Sequence, residues 1–225
     1  DPDAEEDDGS CATFDECGEC GGSGIADGAC DCAGNVVDCA GECGGSAVVD
    51  VCGVCQGDNS TCPIITDIDG NIYSTIQIGT QNWMQQNLKA THYLNGENIN
   101  GPLSNQNWLS TNQGAYNNNF TGQSIYGKEY NWFAVNDDRG ICPEGWKIPS
   151  INDYNQLAEY LGGADVAGGK LKSTGTLENN DGLWYEPNSG ATNESGFTGL
   201  PAGLSTGIDN SNYISERGLY WASDE

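Results

Sequence analysis

Cysteine is the residue type whose spacing offers the clearest chemistry in this chain of 225 residues. Ten of the eleven cysteines fall within residues 11–62. They are Cys11, Cys17, Cys20, Cys30, Cys32, Cys39, Cys43, Cys52, Cys55 and Cys62. An even number of cysteines in a short segment without histidine favours disulfide bonds over zinc thiolates. We therefore expect all ten to form intramolecular disulfides in an oxidising compartment.

The spacing within this segment leaves two other chemistries to weigh. The C-x2-C pairs Cys17/Cys20 and Cys52/Cys55 leave zinc knuckles open as an alternative. A redox C-x-x-C site is disfavoured, because the pairs recur in a repeat and no thioredoxin-like βαβ pattern surrounds them. Residues 17–30 (CGECGGSGIADGAC) and 39–52 (CAGECGGSAVVDVC) are the two longer copies, and residues 52–62 form a shorter one. Such repetition predicts stacked units, each too small to hold a core alone.

Cys142 is the remaining cysteine, in the stretch GICPEGWKIPS of residues 140–150. If the first ten cysteines pair among themselves, Cys142 has no partner within the chain. An odd cysteine implies an intermolecular bridge, a free thiol or a partner outside these residues.

Two further groups of residues could bind a ligand. Glu186-Pro187-Asn188 is similar to the tripeptide that lines the calcium and sugar site of C-type lectins, and Asp224 follows at a comparable distance. Glu186, Asn188 and Asp224 are therefore weak calcium candidates, with a turn in a Gly/Asn-rich loop as the alternative. Trp108, within an Asn-rich segment, is a weak candidate for stacking on a sugar, whereas most of the other tryptophans are expected in the core.

Catalytic motifs are missing from the sequence. His92 is the single histidine, and neither G-x-S-x-G nor H-E-x-x-H occurs. No Gly-rich phosphate loop follows a strand pattern. We therefore do not expect an enzyme.

The charge of the chain disfavours some classes of binding partner. The formal net charge is −26, of which residues 1–62 contribute −15 without one lysine or arginine. A polyanion repels nucleic acid and anionic membrane surfaces, and no apolar run is long enough for membrane insertion. Clustered carboxylates attract Ca²⁺, so calcium is the one cofactor that we expect to stabilise the chain.

The composition divides the chain into three parts: an acidic tail at residues 1–10, a disulfide-rich repeat module at 11–62 and a larger domain at 63–225. Alternation around Asp69-Gly70 predicts a β-hairpin near residues 64–79, although Asp67 and Asp69 also have the spacing of a calcium loop. Nine asparagines at residues 95–119 predict a long loop. Residues 126–135 fit a buried strand or a short helix.

One helix is predicted clearly. Ser150 is its expected N-cap, with Asp153 completing a capping box, and Gly162-Gly163 its end. Residues 154, 157, 158 and 161 form its apolar face. A second short helix is expected near residues 168–173.

Six motifs in one order carry a resemblance to a known family. They are TDIDGNIYSTIQIGTQNWMQQNL, YGKEYNWFAVND, ICPEGWKIPSINDYNQL, AGGKLKSTG, GATNESGFTGLPAG and YWASDE. Together they resemble the Fibrobacter succinogenes major paralogous domain. That resemblance implies an α+β fold related to C-type lectins, with few helices and long loops, on a secreted or cell-surface bacterial protein. It also implies that the domain continues beyond residue 225 and that Cys142 pairs with a cysteine there.

Residues 52–59, CGVCQGDN, are similar to the Asp/Gly/Cys-rich repeats of secreted bacterial surface proteins. The combined expectation is a cell-surface structural or adhesive protein, with a display domain on a disulfide-stapled spacer. Two alternatives stay open: a subunit of an extracellular homopolymeric fibre that self-associates through exposed strand edges, and a calcium-dependent module that binds a glycan.

Overall fold

The computed structural model describes residues 13–118, 124–204 and 213–224 of the chain. The chain divides into two compact units, Asp1–Thr61 (unit 1) and Cys62–Glu225 (unit 2). The expected acidic tail at residues 1–10 and Cys11 lie outside the described residues. Unit 1 is a disulfide-rich module, and unit 2 has an α+β fold with short helices and small sheets.

Unit 1 is built from turns of the pattern Asp-x-x-Gly. They begin at Asp15, Asp31, Asp38 and Asp50. In each turn the glycine N–H donates to the carbonyl of the aspartate, and the glycine takes a positive φ that a side chain would strain, for example 89° at Gly41. Isolated antiparallel bridges, Phe14 with Cys20, Val37 with Cys43 and Val49 with Cys55, flank three of these turns. The repeat is therefore a series of small hairpin-like turns. The predicted stacking of the units stays a prediction.

Unit 2 opens with a three-stranded antiparallel sheet of order β1-β2-β3. The strands are β1 (Ile64–Thr66), β2 (Ile72–Ile78) and β3 (Gln81–Met84). Ile65 pairs with Tyr73 and Ile76 with Trp83. The expected hairpin around Asp69-Gly70 is thus present as β1 and β2.

The middle of unit 2 holds short elements where the asparagines predicted only loop. Helix α1 (Asn105–Ser110) begins after its N-cap Ser104, and strand β4 (Tyr116–Asn118) pairs with β5 (Lys128–Tyr130). The loop prediction for residues 95–119 is wrong in these parts. The N-cap Ser104 stabilises α1, and pairing with β5 stabilises β4, and neither contact is visible in the local composition. A 3-10 turn (Ser124–Tyr126), β5 and helix α2 (Trp132–Val135) occupy the segment predicted as strand or helix.

Helices α3 (Ile151–Tyr160) and α4 (Ala164–Leu171) complete the elements. The predicted capping box is present: Ser150 Oγ accepts from the Asp153 N–H at 3.1 Å, and Asp153 Oδ2 accepts from the Ser150 N–H at 2.8 Å. α4 begins four residues before its expected position. In the described residues no helix is both long and apolar enough to span a bilayer.

Two apolar clusters form the core of unit 2. The first joins β2 and β3 to α3 and α4: Ile78, Trp83, Leu157, Leu161, Ala167 and Phe197. The second surrounds β4, β5 and α2: Tyr93, Ile99, Tyr116, Tyr130, Ala134 and Ile141. Leu157 and Leu161, on the predicted face of α3, are buried, so the helical periodicity was interpreted correctly. The described segment at 213–224 contains no strand.

Candidate functional site

The disulfides of unit 1 interleave along the chain. Cys17 pairs with Cys32, Cys30 with Cys43 and Cys39 with Cys55. Cys20, Cys52 and Cys62 are also disulfide-bonded. Every described cysteine of the module is therefore oxidised, as the sequence predicted, and none of them is a thiolate that could hold zinc.

The carboxylates of the repeat aspartates accept hydrogen bonds from backbone N–H groups. Asp38 Oδ1 accepts from the N–H groups of Ala40 and Glu42 at 2.9 and 3.0 Å, and its Oδ2 accepts from Ala47 at 2.9 Å. The carboxylates of Asp15 and Asp50 make the same three bonds at the same offsets. These bonds hold the pKa of each carboxyl below its usual value of 3.8, with bonds from the backbone as the leading cause. The spacing D-x-x-G, which the sequence interpretation overlooked, was the signal that could have identified them.

Asp67 repeats this turn in unit 2. Its Oδ1 accepts from the N–H groups of Asp69 and Asn71, and its Oδ2 accepts from Asn71 Nδ2 and the Tyr73 hydroxyl. Asp69 contacts His92 Nδ1 through Oδ1 and the Thr91 N–H through Oδ2. The calcium-like spacing at Asp67 and Asp69 therefore forms a hairpin turn whose carboxylates are engaged by protein donors.

Of the three weak calcium candidates, Glu186 and Asn188 contact the same segment, residues 173–179, and Asp224 contacts the start of α3. Glu186 Oε1 accepts from Asn179 Nδ2 at 3.2 Å, and Asn188 donates through Nδ2 to the carbonyl oxygens of Ser173 and Gly175. Asp224 instead accepts, through Oδ1, from the Ile151 N–H at 2.7 Å. The described residues contain no group of three or more His, Cys, Asp or Glu side chains that could hold a metal. Calcium stabilisation stays a prediction.

Residues 221–224 lie along the start of α3 and the end of β5. Trp221 Nε1 donates to the Tyr130 carbonyl at 2.8 Å, and the Trp221 carbonyl accepts from the Tyr154 hydroxyl at 3.2 Å. The Ser223 N–H donates to the Pro149 carbonyl at 2.9 Å. Together with the Asp224 bond to Ile151, these contacts hold Trp221 in a fixed position.

An exposed aromatic surface results from that position. The ring of Trp221 lies 5.7 Å from that of Trp132 between centroids, with the two planes inclined by 46°. Trp221 is 46% exposed and Phe133, the next residue of α2, is 48% exposed. We call Trp132, Phe133 and Trp221 the aromatic face.

Two open depressions, each of about 400 Å³, share Trp132 as a wall. One is lined by Trp132, Phe133, Asn136, Asp137 and Asp138, and the other by Trp132, Trp221, Ala222 and Asp224. These linings contain three carboxylates and neither lysine nor arginine. The closest arginine in sequence, Arg139, donates to both carboxylate oxygens of Asp137 and to Glu97. These side-chain hydrogen bonds lower the pKa of Asp137 to about 2.

Trp108, the sugar-stacking candidate of the sequence, is a half-buried residue of α1 and lines neither depression. Trp83 and Trp184 are buried. Sequence reasoning missed the aromatic face, since Trp132 and Trp221 are far apart in the chain and only the fold brings them together.

Two partly buried ionisable groups lie elsewhere in unit 2. The thiol of Cys142 is free, lies against the second apolar cluster, and has its pKa raised by burial to about 11. Burial also raises the pKa of Glu129, on β5, to about 7, and neither oxygen of its carboxyl accepts a hydrogen bond. The expected pairing of Cys142 with a cysteine beyond residue 225 stays a prediction.

Comparison with known families identifies the class of the chain. The Fibrobacter succinogenes major domain matches residues 76–225, two thirds of the sequence, so the chain belongs to this family. No curated protein and no solved structure matches the chain. The relation to C-type lectins stays a prediction. The family and the disulfide-rich module fit an extracellular surface protein.

Proposed function

We propose that the protein is a secreted structural or adhesive component of a bacterial cell surface, with unit 1 as a covalently stapled spacer and unit 2 as the displayed domain. The observation that carries this proposal is the interleaved disulfide series of unit 1. Disulfides persist in oxidising compartments and stabilise segments too small to bury a core. We propose no catalytic activity.

Unit 1 has the properties of such a spacer. Its apolar side chains are outside: Val48 is 74% exposed, and Phe14, Val36, Val37 and Val49 are exposed as well. Its order therefore depends on disulfides and on the aspartate turns rather than on an apolar interior. The turns are local and the covalent bridges join each copy of the repeat to the next, which suits a segment that separates a domain from its attachment point.

Surface labelling of intact cells that produce the full-length protein tests this proposal. A membrane-impermeant biotin reagent should label lysines of unit 2, and thiol alkylation without reductant should leave the cysteines of unit 1 unmodified. Cells that produce an intracellular thiol protein provide the control. A protein that is labelled only after lysis, with its unit 1 cysteines reduced, would exclude the proposed location and role.

A fibre subunit is the second candidate, because exposed valine pairs recur along unit 1, at residues 36–37 and 48–49. The net charge of −26 opposes close association of two copies at low salt. Light scattering and electron microscopy of the purified protein at low and high ionic strength distinguish long polymers from discrete monomers.

A further inference from the structure

We propose that unit 1 is a load-bearing tether whose disulfide bonds limit how far its chain can extend under tension. This inference rests on the proposed role of unit 1 as a spacer, because a spacer transmits any force that acts on the displayed domain. The covalent connections of unit 1 carry the inference, and no ligand or binding surface is involved.

The backbone of this segment alone can extend a long way. Thirty-eight steps between consecutive Cα atoms separate residue 17 from residue 55. An extended chain gains about 3.5 Å per step, so the segment without bridges can reach about 130 Å. Glycine-rich chains of this kind behave as flexible coils. Any shorter limit on the reach of the segment must therefore come from its cross-links.

Three bridges cross the segment. We call Cys17–Cys32 the first bridge, Cys30–Cys43 the middle bridge and Cys39–Cys55 the last bridge. The first and last bridges each join Cα atoms 5.5 Å apart, so a pulling force crosses them and bypasses the loops that they close. Only residues 32–39 then carry the force through the backbone. Their seven steps and the two bridges limit the distance between the segment's ends to about 35 Å.

The middle bridge supplies a second route in parallel. From residue 32 the force can also pass back to Cys30, across the middle bridge of 5.7 Å between Cα atoms, and back from Cys43 to residue 39. This second route has six backbone steps and a length of about 27 Å, whereas the direct route along the backbone has a length of about 25 Å. Near full extension the two covalent routes therefore share the force.

This limit is covalent, unlike the hydrogen bonds of the aspartate turns. Hydrogen bonds break and form again as a chain is stretched, whereas disulfides persist in the oxidising compartments in which they form. Even at a tension that opens every turn, the segment keeps to about a quarter of the reach of the unbridged chain. Unit 1 would thus hold the displayed domain close to its attachment point.

Single-molecule force spectroscopy of the full chain tests the proposal. Handles are attached through azide-bearing residues in place of Glu16 and Gln56, which are exposed and lie just outside the first and last bridges. The readout is the contour length of the stretched segment between the two handles. A phosphine reductant should increase this contour length by about 95 Å relative to the oxidised protein.

Paired cysteine-to-serine variants separate the contributions of the bridges. Without the first bridge, in Cys17→Ser with Cys32→Ser, the force must follow the backbone to the middle bridge, and the contour length should increase by about 35 Å. Without the last bridge, in Cys39→Ser with Cys55→Ser, the contour length should increase by about 25 Å for the same reason.

The middle bridge provides the matched control. Cys30→Ser with Cys43→Ser also removes one disulfide, but the direct route along residues 32–39 remains, so the contour length should not change. Mass spectrometry without reductant identifies the bridges that remain in each variant. Comparison of the oxidised and reduced parent decides the matter even where a variant forms other pairs.

Equal contour lengths of the oxidised and reduced parent would overturn the inference, as would a middle-bridge variant that lengthens like the other two. A protein that is found at the cell surface but whose length ignores the bridges leaves the proposed function standing and removes only the tether. The expected lengths in a protein that surface labelling finds only inside cells would do the reverse.

Discussion

The hydroxyl of Tyr73 donates a 2.6 Å hydrogen bond to Asp67 Oδ2. The same hydroxyl accepts from the Lys89 N–H at 2.9 Å, and Tyr73 is fully buried. One phenol oxygen thereby joins the β1–β2 turn to the chain that follows β3.

Tyr73→Phe should destabilise unit 2 by about 1.5–3 kcal/mol, the usual range for a hydrogen bond to a charged group. The substitution leaves both the Asp67 carboxylate and the Lys89 N–H without this partner. Urea unfolding followed by tryptophan fluorescence measures the change. Tyr160→Phe, at an exposed position, is the control and should leave the unfolding midpoint unchanged.

Asp38 should titrate below the usual aspartate range. Because its pKa is lowered in the folded state, the stabilisation is present above the unfolded pKa of about 3.9 and is lost as the pH falls through the lower folded value. Acidification below about pH 4 should therefore speed hydrogen exchange at the Ala47 amide, while the disulfides stay intact. NMR titration of the carboxyl carbon measures the midpoint directly.

Asp27→Asn is the control for Asp38→Asn, since Asp27 lies in the same module and is exposed. Only Asp38→Asn should accelerate exchange at Ala47, because the amide nitrogen cannot accept the third backbone bond. Equal exchange in the two variants would show that the turns do not depend on the carboxylate.

Glu129 should make unit 2 less stable as the pH rises. Its folded pKa of about 7 lies above the unfolded value, so the folded state binds the extra proton between about pH 4.5 and 7. The free energy of unfolding falls with rising pH across this window and then levels off. The total fall is a few kcal/mol, at about 1.36 kcal/mol per unit of pKa difference. Glu129→Gln should remove this slope and raise the melting temperature at pH 8.

Glu144→Gln, at an exposed glutamate of unit 2, is the matched control for Glu129→Gln. Melting curves of the three proteins from pH 4.5 to 8.5 give the comparison. Parallel pH profiles for Glu129→Gln and the parent would contradict the assignment of a neutral, buried carboxyl.

Cys142 should react slowly with thiol reagents in the folded protein. A pKa raised from 9 to about 11 lowers the thiolate fraction about 100-fold at pH 8, and burial adds a steric barrier. Ellman's reagent should therefore modify the thiol promptly only after addition of denaturant. Cys142→Ala should show no reaction in either condition, and a prompt reaction of the folded parent would contradict the burial.

Local signals explain which elements could be predicted. The Ser150–Asp153 capping box and the Asp69-Gly70 turn depend on residues within a few positions of each other, and both appear where the sequence placed them. Helix α1 was missed because asparagine favours turns on average, whereas here Ser104 caps the segment. Local composition is a weak guide when tertiary contacts select one of several allowed conformations.

The aromatic face could not be predicted, for a different physical reason. Trp132 is placed by the N-cap Asn131, which also binds the Ala115 N–H, whereas Trp221 is placed by Tyr130 and by the start of α3. Apart from the N-cap of α2, each of these contacts joins residues that are far apart in the sequence. The Asn-rich sequence around Trp108 favoured that residue as a sugar-stacking candidate. The spacing of the motifs contained no information about which tryptophan side chains are in contact.

The overlap of the disulfides in unit 1 has a consequence for survival among secreted proteases. Bridges from 17 to 32, 30 to 43 and 39 to 55 leave no peptide bond between Cys17 and Cys55 unspanned. Cleavage of any single bond in that stretch therefore opens a loop without releasing a fragment. A nicked molecule keeps both halves attached, and the domain that follows is shed only after further cuts or reduction.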